Sequence, residues 1–341
     1  MFKTGLLLGK FSPPHKGHKF TIDWASSLCD ILVVIVSGGV DFSAEQRTHW
    51  LKSEYKDYRK QIIFYADSNP IEEPLVDSEG VAIDDWFWEL WISKINTLTG
   101  TVDAVFTNDK YGEKLSNLLD AKWIPIDRDR SIFNTSATNI KLGKSEWKNI
   151  IYSARLALTK TFCVVGPESV GKTTLVKKLA NYFDNSGLVY EYGRTISEIR
   201  NNKLTEEDFK LIVRGHKFTV ENIKAEYPRV FVDTDAFTTN FFAKKYLSKQ
   251  EYDNIKYYIA CQQHADKYRY NHWLILAPNV PFVADGTRIT TENERIAFYE
   301  EAIDYYKEEK LPYTIIDSST FDDRFYQAVT AVEAEKIFKG V

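Results

Sequence analysis

Short apolar runs recur along this chain, separated by longer stretches in which apolar positions fall every three to four residues. In the first half the apolar runs lie at residues 4–8, 31–36, 62–65, 104–107 and 123–126. Between them, residues 16–27, 44–52, 84–97 and 112–119 carry the helical period. Strands alternating with helices predict a parallel sheet with helices on both faces. Such sheets bind ligands beyond the carboxyl ends of their strands. A second series begins at residues 161–165. It continues with a glycine loop, a helix over 172–183 and strands at 188–192, 230–232, 273–276 and 314–316. The stretch 147–158 reads as a helix that ends the first series. Two domains, 1–157 and 158–341, are therefore expected, closely joined because no Gly/Ser/Pro-rich linker separates them.

Composition agrees with this division. Hydrophobic residues make up 44% of the 341, enough for a core in each half. The net charge of -4 argues against a surface built to wrap nucleic acid. Cys29, Cys163 and Cys261 lie far apart and form no CxxC pair, so neither a disulfide framework nor a zinc site is expected. No apolar run has the length of a signal-peptide core or a membrane span. The expectation is a soluble cytoplasmic protein without a membrane partner.

Two phosphate-handling motifs sit at the predicted strand ends. The first is Gly9-Lys10-Phe11-Ser12-Pro13-Pro14-His15-Lys16-Gly17-His18, directly after the first strand. Gly9 lets the backbone approach a phosphate, and the helix start at Gly17 favours anions. His15 and His18 can donate to triphosphate oxygens. A phosphate attacking the α-phosphorus of ATP is already anionic, so the protein must chiefly position groups and stabilise charge. A later segment, with Ser136, Thr138 and Lys141, places hydroxyls and amides at a helix start with a cation one turn on. This suits the β- and γ-phosphates.

The second motif, Gly166-Pro167-Glu168-Ser169-Val170-Gly171-Lys172-Thr173, satisfies G-x-x-x-x-G-K-[ST] between a predicted strand and a predicted helix. Its amides, with Thr174 following, cradle phosphates. Lys172 reaches the β/γ oxygens, and Thr173 binds Mg²⁺. Asp233 or Asp235, after an apolar strand, would orient the Mg²⁺ shell. Glu191, Asp233 or Asp235 would accept a substrate hydroxyl proton. Arg288 in Asp285-Gly286-Thr287-Arg288 would close on the transferring phosphate, with Arg295 a weaker candidate. ATP and Mg²⁺ are the cofactor-level requirements.

Residues 9–18 and 136–141 resemble the paired signatures of the nucleotidyltransferase superfamily, which includes nicotinamide-mononucleotide adenylyltransferases. Lys141 stands where that superfamily usually has arginine, keeping the charge but losing the bidentate fork. The second half resembles the ribosylnicotinamide kinase domain of the bifunctional NadR family. The matching segments are Glu191-Tyr192-Gly193-Arg194, residues 233–239 and residues 282–288. The resemblance implies an α/β protein with an N-terminal Rossmann-like nucleotidyltransferase domain and a C-terminal P-loop kinase domain. It implies phosphorylation of nicotinamide riboside to NMN, then adenylylation of NMN to NAD and pyrophosphate. Some members carry an N-terminal DNA-binding helix-turn-helix. This chain begins at the first transferase strand, so that activity is expected to be missing. Partners would be small molecules (ATP, nicotinamide riboside, NMN and NAD), bound by a monomer or a homo-oligomer.

A pyridinium ring is flat and cationic, so an aromatic face is its natural partner. The ring-rich stretch around Trp86 and Trp88 offers one, with helix packing as the competing use. Tyr192, Tyr258 and Trp273 are further candidates in the second half. Arg47 would reach a substrate phosphate or else be a solvated helix arginine. His49, His216, His264 and His272 form no ligand cluster and read as structural or surface residues. Two other readings stand beside NAD salvage. One is a transferase–kinase fusion for another nucleotide or coenzyme precursor. The other is an ATP- or NAD-sensing regulator with one inactive site.

Overall fold

The computed structural model describes residues 1–38, 41–57, 61–68, 74–127, 131–132, 135–281 and 291–335. The chain divides into two compact units, one running from Met1 to Ala157 and the other beginning at Leu158. Both are α/β, each with a five-stranded sheet whose paired strands are all parallel.

The first unit runs β1 (Phe2–Gly9), α1 (Lys16–Leu28), β2 (Cys29–Ser37), α2 (Ala44–Glu54), β3 (Gln61–Asp67), α3 (Asp85–Thr99), β4 (Ala104–Phe106), α4 (Tyr111–Leu118), β5 (Lys122–Ile124), α5 (Ala137–Lys141) and α6 (Tyr152–Leu158). Its strand order is β3-β2-β1-β4-β5. The order reverses between β1 and β4, so both strands end at the crevice where open sheets bind ligands. The central strands are covered on both faces, and Leu6, Val34, Ile35 and Phe106 are fully buried. Residues 147–158 are not one helix: a 3-10 turn at Trp147–Asn149 precedes α6. The break puts Ile150 opposite His15 in an antiparallel bridge, so the extended backbone there serves tertiary pairing.

The second unit runs β6 (Lys160–Val165), α7 (Lys172–Tyr182), β7 (Ser186–Val189), α8 (Tyr192–Ile199), α9 (Glu206–Lys224), β8 (Arg229–Asp233), α10 (Ala236–Tyr246), α11 (Lys249–Arg269), β9 (His272–Leu276), α12 (Glu292–Glu308), β10 (Tyr313–Ile316) and α13 (Phe321–Ala334). Its strand order is β10-β9-β6-β8-β7. The strand expected over 188–192 stops at Val189, because Tyr192 opens a helix with Glu191 at its N-cap position. The two sheet faces pack separate cores: Phe162, Val164, Leu274 and Leu276 on one, Cys163, Val165, Trp273 and Ile275 on the other. This is the period-2 alternation of strands buried on both sides. Among the described residues, no helix is long and apolar enough to cross a membrane.

Candidate active sites

In the first unit a cavity of about 1260 Å³ opens at the β1/β4 crevice. Its lining includes Gly9, Lys10, Phe11, His15, His18, Ser136, Thr138 and Lys141, so the two separate sequence segments meet in one place. The histidines cap their own helix. His15 is the N-cap of α1, and its Nδ1 accepts from the His18 backbone N–H at 3.4 Å. His18 Nδ1 accepts from the His15 N–H at 3.3 Å, and the rings stack with centroids 3.6 Å apart. Acceptance at Nδ1 fixes the neutral tautomer with its proton on Nε2. Each ring therefore carries its N–H on the edge opposite its cap. Phe11, in the left-handed region at φ 49°, turns the chain after β1 and packs edge-on against His18 at 4.8 Å.

Ser136 caps α5, its hydroxyl accepting from the Asn139 N–H at 3.0 Å. Lys141 lines the cavity and is ion-paired with Asp41.

Two expectations for this unit need correction. Arg47 is neither solvated nor a lining residue of the cavity: it is fully buried. Its guanidinium donates to the carbonyls of Phe42 and Ser43 at 3.1 Å, of Ser37 at 3.2 Å, and of Lys10 and Gly38. It thus ties the turns after β1 and β2 to the start of α2. Trp86 points out to solvent, 46% exposed, and does not line the cavity, whereas Phe87, Trp88 and Trp91 do. Trp88 is largely a packing residue, with its indole N–H donating to Ala82 O at 2.8 Å. Helix geometry decides this, since neighbours on a helix face different sides.

The second unit carries a cavity of about 650 Å³ over the glycine loop, lined by Glu168, Ser169, Gly171, Lys172, Thr173 and Thr174 among others. Gly166 at φ 154° and Gly171 at φ 91° adopt backbone conformations that L side chains rarely take. A Cβ at Gly171 would lie 2.7 Å from the Phe321 ring. Val170 points into the core, fully buried, so only its backbone faces the loop's ligand side. Lys172 Nζ donates to Pro167 O at 2.9 Å.

The Asp233-Thr234-Asp235 turn separates two carboxylates by function. Thr234 sits at φ 71°, with its N–H bonded to Val164 O at 3.0 Å. Asp233 then faces the loop: its Oδ2 accepts from the Thr173 hydroxyl at 2.5 Å, while its buried Oδ1 takes no hydrogen bond from the described residues. Asp235 faces the core instead. Its Oδ2 accepts from Tyr306 at 2.6 Å and Trp273 Nε1 at 3.1 Å, and its Oδ1 caps α10 by accepting from the Thr238 N–H at 3.1 Å. Neither carboxylate is among the residues lining the cavity, and with both oxygens engaged by core groups Asp235 is a structural carboxylate. Trp273, fully buried, is equally removed from ligand stacking, and Tyr258 does not line the cavity.

An open buried carboxylate oxygen beside a loop hydroxyl fits Mg²⁺. The hard cation keeps several waters and needs only one or two protein oxygens besides phosphate. Among the described residues no three His, Cys, Asp or Glu side chains gather as a preformed metal cage. Glu191 lines the cavity. Burial raises its pKa; the Asp233 charge adds to this, while Lys172 and Arg194 oppose it. Burial likewise raises Asp233, with Lys172 and the Thr173 hydroxyl opposing.

Arg288 and its neighbours 285–287 lie outside the described residues. Arg295 is not poised over the phosphates: it is buried and donates to Glu168 O at 3.1 Å, behind the loop. Tyr192 lines the cavity, with Phe242, Tyr246, Arg194 and Lys177, four residues the sequence did not single out. His216 also lines it and meets Thr234 O at 3.1 Å. Phe242, Tyr246 and His216 lie far along the chain from the loop and belong to no short motif. Arg194 stood inside a quoted segment, five positions after the end of β7, and was the one within reach of sequence reasoning.

Residues 161–324 match the family model described as an AAA domain. The chain is 27% identical over 355 residues to the trifunctional NAD biosynthesis/regulator protein NadR of Salmonella typhimurium, covering 96% of this chain and 82% of that protein. It is 26% identical over 356 residues to the protein of the same description from Escherichia coli, with the same coverage. A solved structure of a NadR protein in complex with NR matches at TM-score 0.63 and 24% identity, over 100% of this chain and 97% of that one. A NadR protein in complex with NAD and AMP-PNP matches at TM-score 0.62 and 23% identity, with the same coverage. The NadR proteins are thus homologues along almost the whole chain, and the solved ones share its fold.

Proposed function

We propose that this NadR-like chain is a bifunctional NAD salvage enzyme, with an adenylyltransferase in residues 1–157 and a ribosylnicotinamide kinase in residues 158–341. The observation that carries it is one chain holding two cavities with different linings, one framed by paired histidines and one by a glycine loop with Lys172. The homologues' description as NAD biosynthesis proteins supports the substrate class.

In the kinase, loop amides and Lys172 hold the β- and γ-phosphates. Thr173 and Asp233 would hold Mg²⁺, which when bound would neutralise phosphate charge. Glu191 takes the proton of the riboside hydroxyl as its oxygen attacks the γ-phosphorus, and ADP leaves. A carboxylate whose pKa is raised is a stronger base, which suits it to that proton. Arg194 and Lys177 add positive charge on the same cavity wall. In the adenylyltransferase, the NMN phosphate attacks the α-phosphorus of ATP and pyrophosphate leaves. No strong base is needed. The Nε2–H groups of His15 and His18 donate to the developing charge, while Ser136, Thr138 and Lys141 bind the departing phosphates. Lys141 must leave Asp41 to do so, and one point charge replaces a fork. Phe87, Trp88 or Trp91 supplies the apolar wall for the pyridine ring.

Incubating the chain with nicotinamide riboside, ATP and Mg²⁺ and following products by mass tests this. NMN followed by NAD is expected. ATP binding without turnover of riboside or NMN would favour a sensing role instead.

A further inference from the structure

Two buried arginines lie on the core side of the phosphate loop, on helices that contribute nothing to the motif itself. Arg295, on α12, donates through Nε to Glu168 O at 3.1 Å and through Nη2 to Val280 O at 3.2 Å, and its Nη1 pairs with Glu292 at 2.6 Å. Arg324, on α13, donates to Val170 O at 3.2 Å, Ser318 O at 2.7 Å and Ala277 O at 2.8 Å, and to the Asn279 side chain. Both guanidiniums are about 1% exposed. They are close enough that the Arg295 charge, after burial itself, lowers the pKa of Arg324.

A phosphate loop works by turning its N–H groups inward. Each peptide plane that does so turns its carbonyl outward. Outward carbonyls beneath the loop are buried and need donors. The loop's carbonyls at Pro167, Glu168 and Val170 receive donors from Lys172, Arg295 and Arg324 respectively. Only Lys172 belongs to the motif, and it must release Pro167 to reach a phosphate. The two arginines remain. They also place positive charge behind an anion site, where it is screened little by solvent.

We infer that Arg295 and Arg324 are positioning residues for the phosphate loop, fixing the peptide planes at Glu168 and Val170 so that the loop amides face the nucleotide. The inference rests on reading residues 166–173 as the ATP loop of the kinase. α13 is held in place for this by Phe321 against Gly171 and by the Lys178–Asp322 pair at 3.0 Å.

Calorimetric titration of the full chain with Mg²⁺–ATP tests it. Lys172→Ala identifies which binding event belongs to the loop. Arg324→Met and, independently on the other helix, Arg295→Met should each weaken that event about tenfold, the scale of one lost charge-assisted hydrogen bond. The second ATP event should be unchanged. Arg324→Lys, which keeps charge but reaches fewer carbonyls, should fall in between. In turnover, KM for ATP should rise with KM for the riboside unchanged, a split that general destabilisation does not produce. Unaltered loop affinity in either folded methionine variant overturns the inference. If Lys172→Ala removes neither event, the loop reading itself fails and takes the inference with it.

Discussion

The Thr173 hydroxyl donates to the Asp233 carboxylate across 2.5 Å, joining residues sixty positions apart, one in the first turn of α7 and the other at the end of β8. The partner oxygen of Asp233 is left open, whereas Asp235, two residues on, has both oxygens engaged. Asp233→Asn should therefore cut riboside phosphorylation by about a hundredfold or more, with weaker Mg²⁺ dependence and little loss of stability. Asp235→Asn should instead destabilise the second unit by about 2–3 kcal/mol, because it weakens charge-assisted hydrogen bonds in the core. Denaturation and Mg²⁺ titration of the two variants side by side distinguish them.

Glu191 has a testable pH signature. Its pKa is raised by burial and by Asp233, and a base acts only when deprotonated. Kinase kcat/KM should fall on acidification with a midpoint above the ordinary glutamate value. Glu191→Gln should lose this limb along with most of the rate. A wild-type profile flat across that range would remove Glu191 from the role of base.

The reciprocal caps of His15 and His18 allow structure and catalysis to be separated. Asn is a good N-cap but has no Nε2–H at the imidazole position. His15→Asn should keep α1 within about 1 kcal/mol of native stability yet lower NAD formation from NMN by one or more orders of magnitude. His18→Ala should lose both the activity and about 1 kcal/mol of cap energy. Phosphorylation of the riboside should survive either change. Melting curves and single-substrate assays of the two variants supply the comparison.

His216 makes the second unit sensitive to acid. Burial pushes its pKa down to about 4; the nearby Arg269 charge adds to this, and the bond to Thr234 opposes it. The folded unit resists protonation while the unfolded chain accepts it near 6.5. Stability is therefore full above about 6.5 and falls as pH drops toward 4, by up to about 3 kcal/mol. Hydrogen exchange of β6 and β8 between pH 7 and pH 4 should show this. His216→Gln should flatten the dependence. An unchanged slope in that variant would assign the acid sensitivity elsewhere.

The alternation of apolar runs and helical stretches determined two parallel α/β units, because a strand buried on both faces must be apolar whatever lies beside it. Local spacing also determined the phosphate loop and the histidine motif, since both work through backbone turns that a few consecutive residues dictate. Helix phase and chain crossings were decided only by the folded chain. Trp86 faces solvent while Phe87 and Trp88 face the cavity, as one residue is a turn of about 100° on a helix. Asp233 and Asp235 part company at the left-handed Thr234. Arg47 and Arg295 looked like surface or ligand-binding cations; in the fold they, like Arg324, are buried donors to backbone carbonyls. A guanidinium's worth depends on which oxygens surround it. Some of those oxygens come from segments tens to more than a hundred residues away, where no local pattern records them.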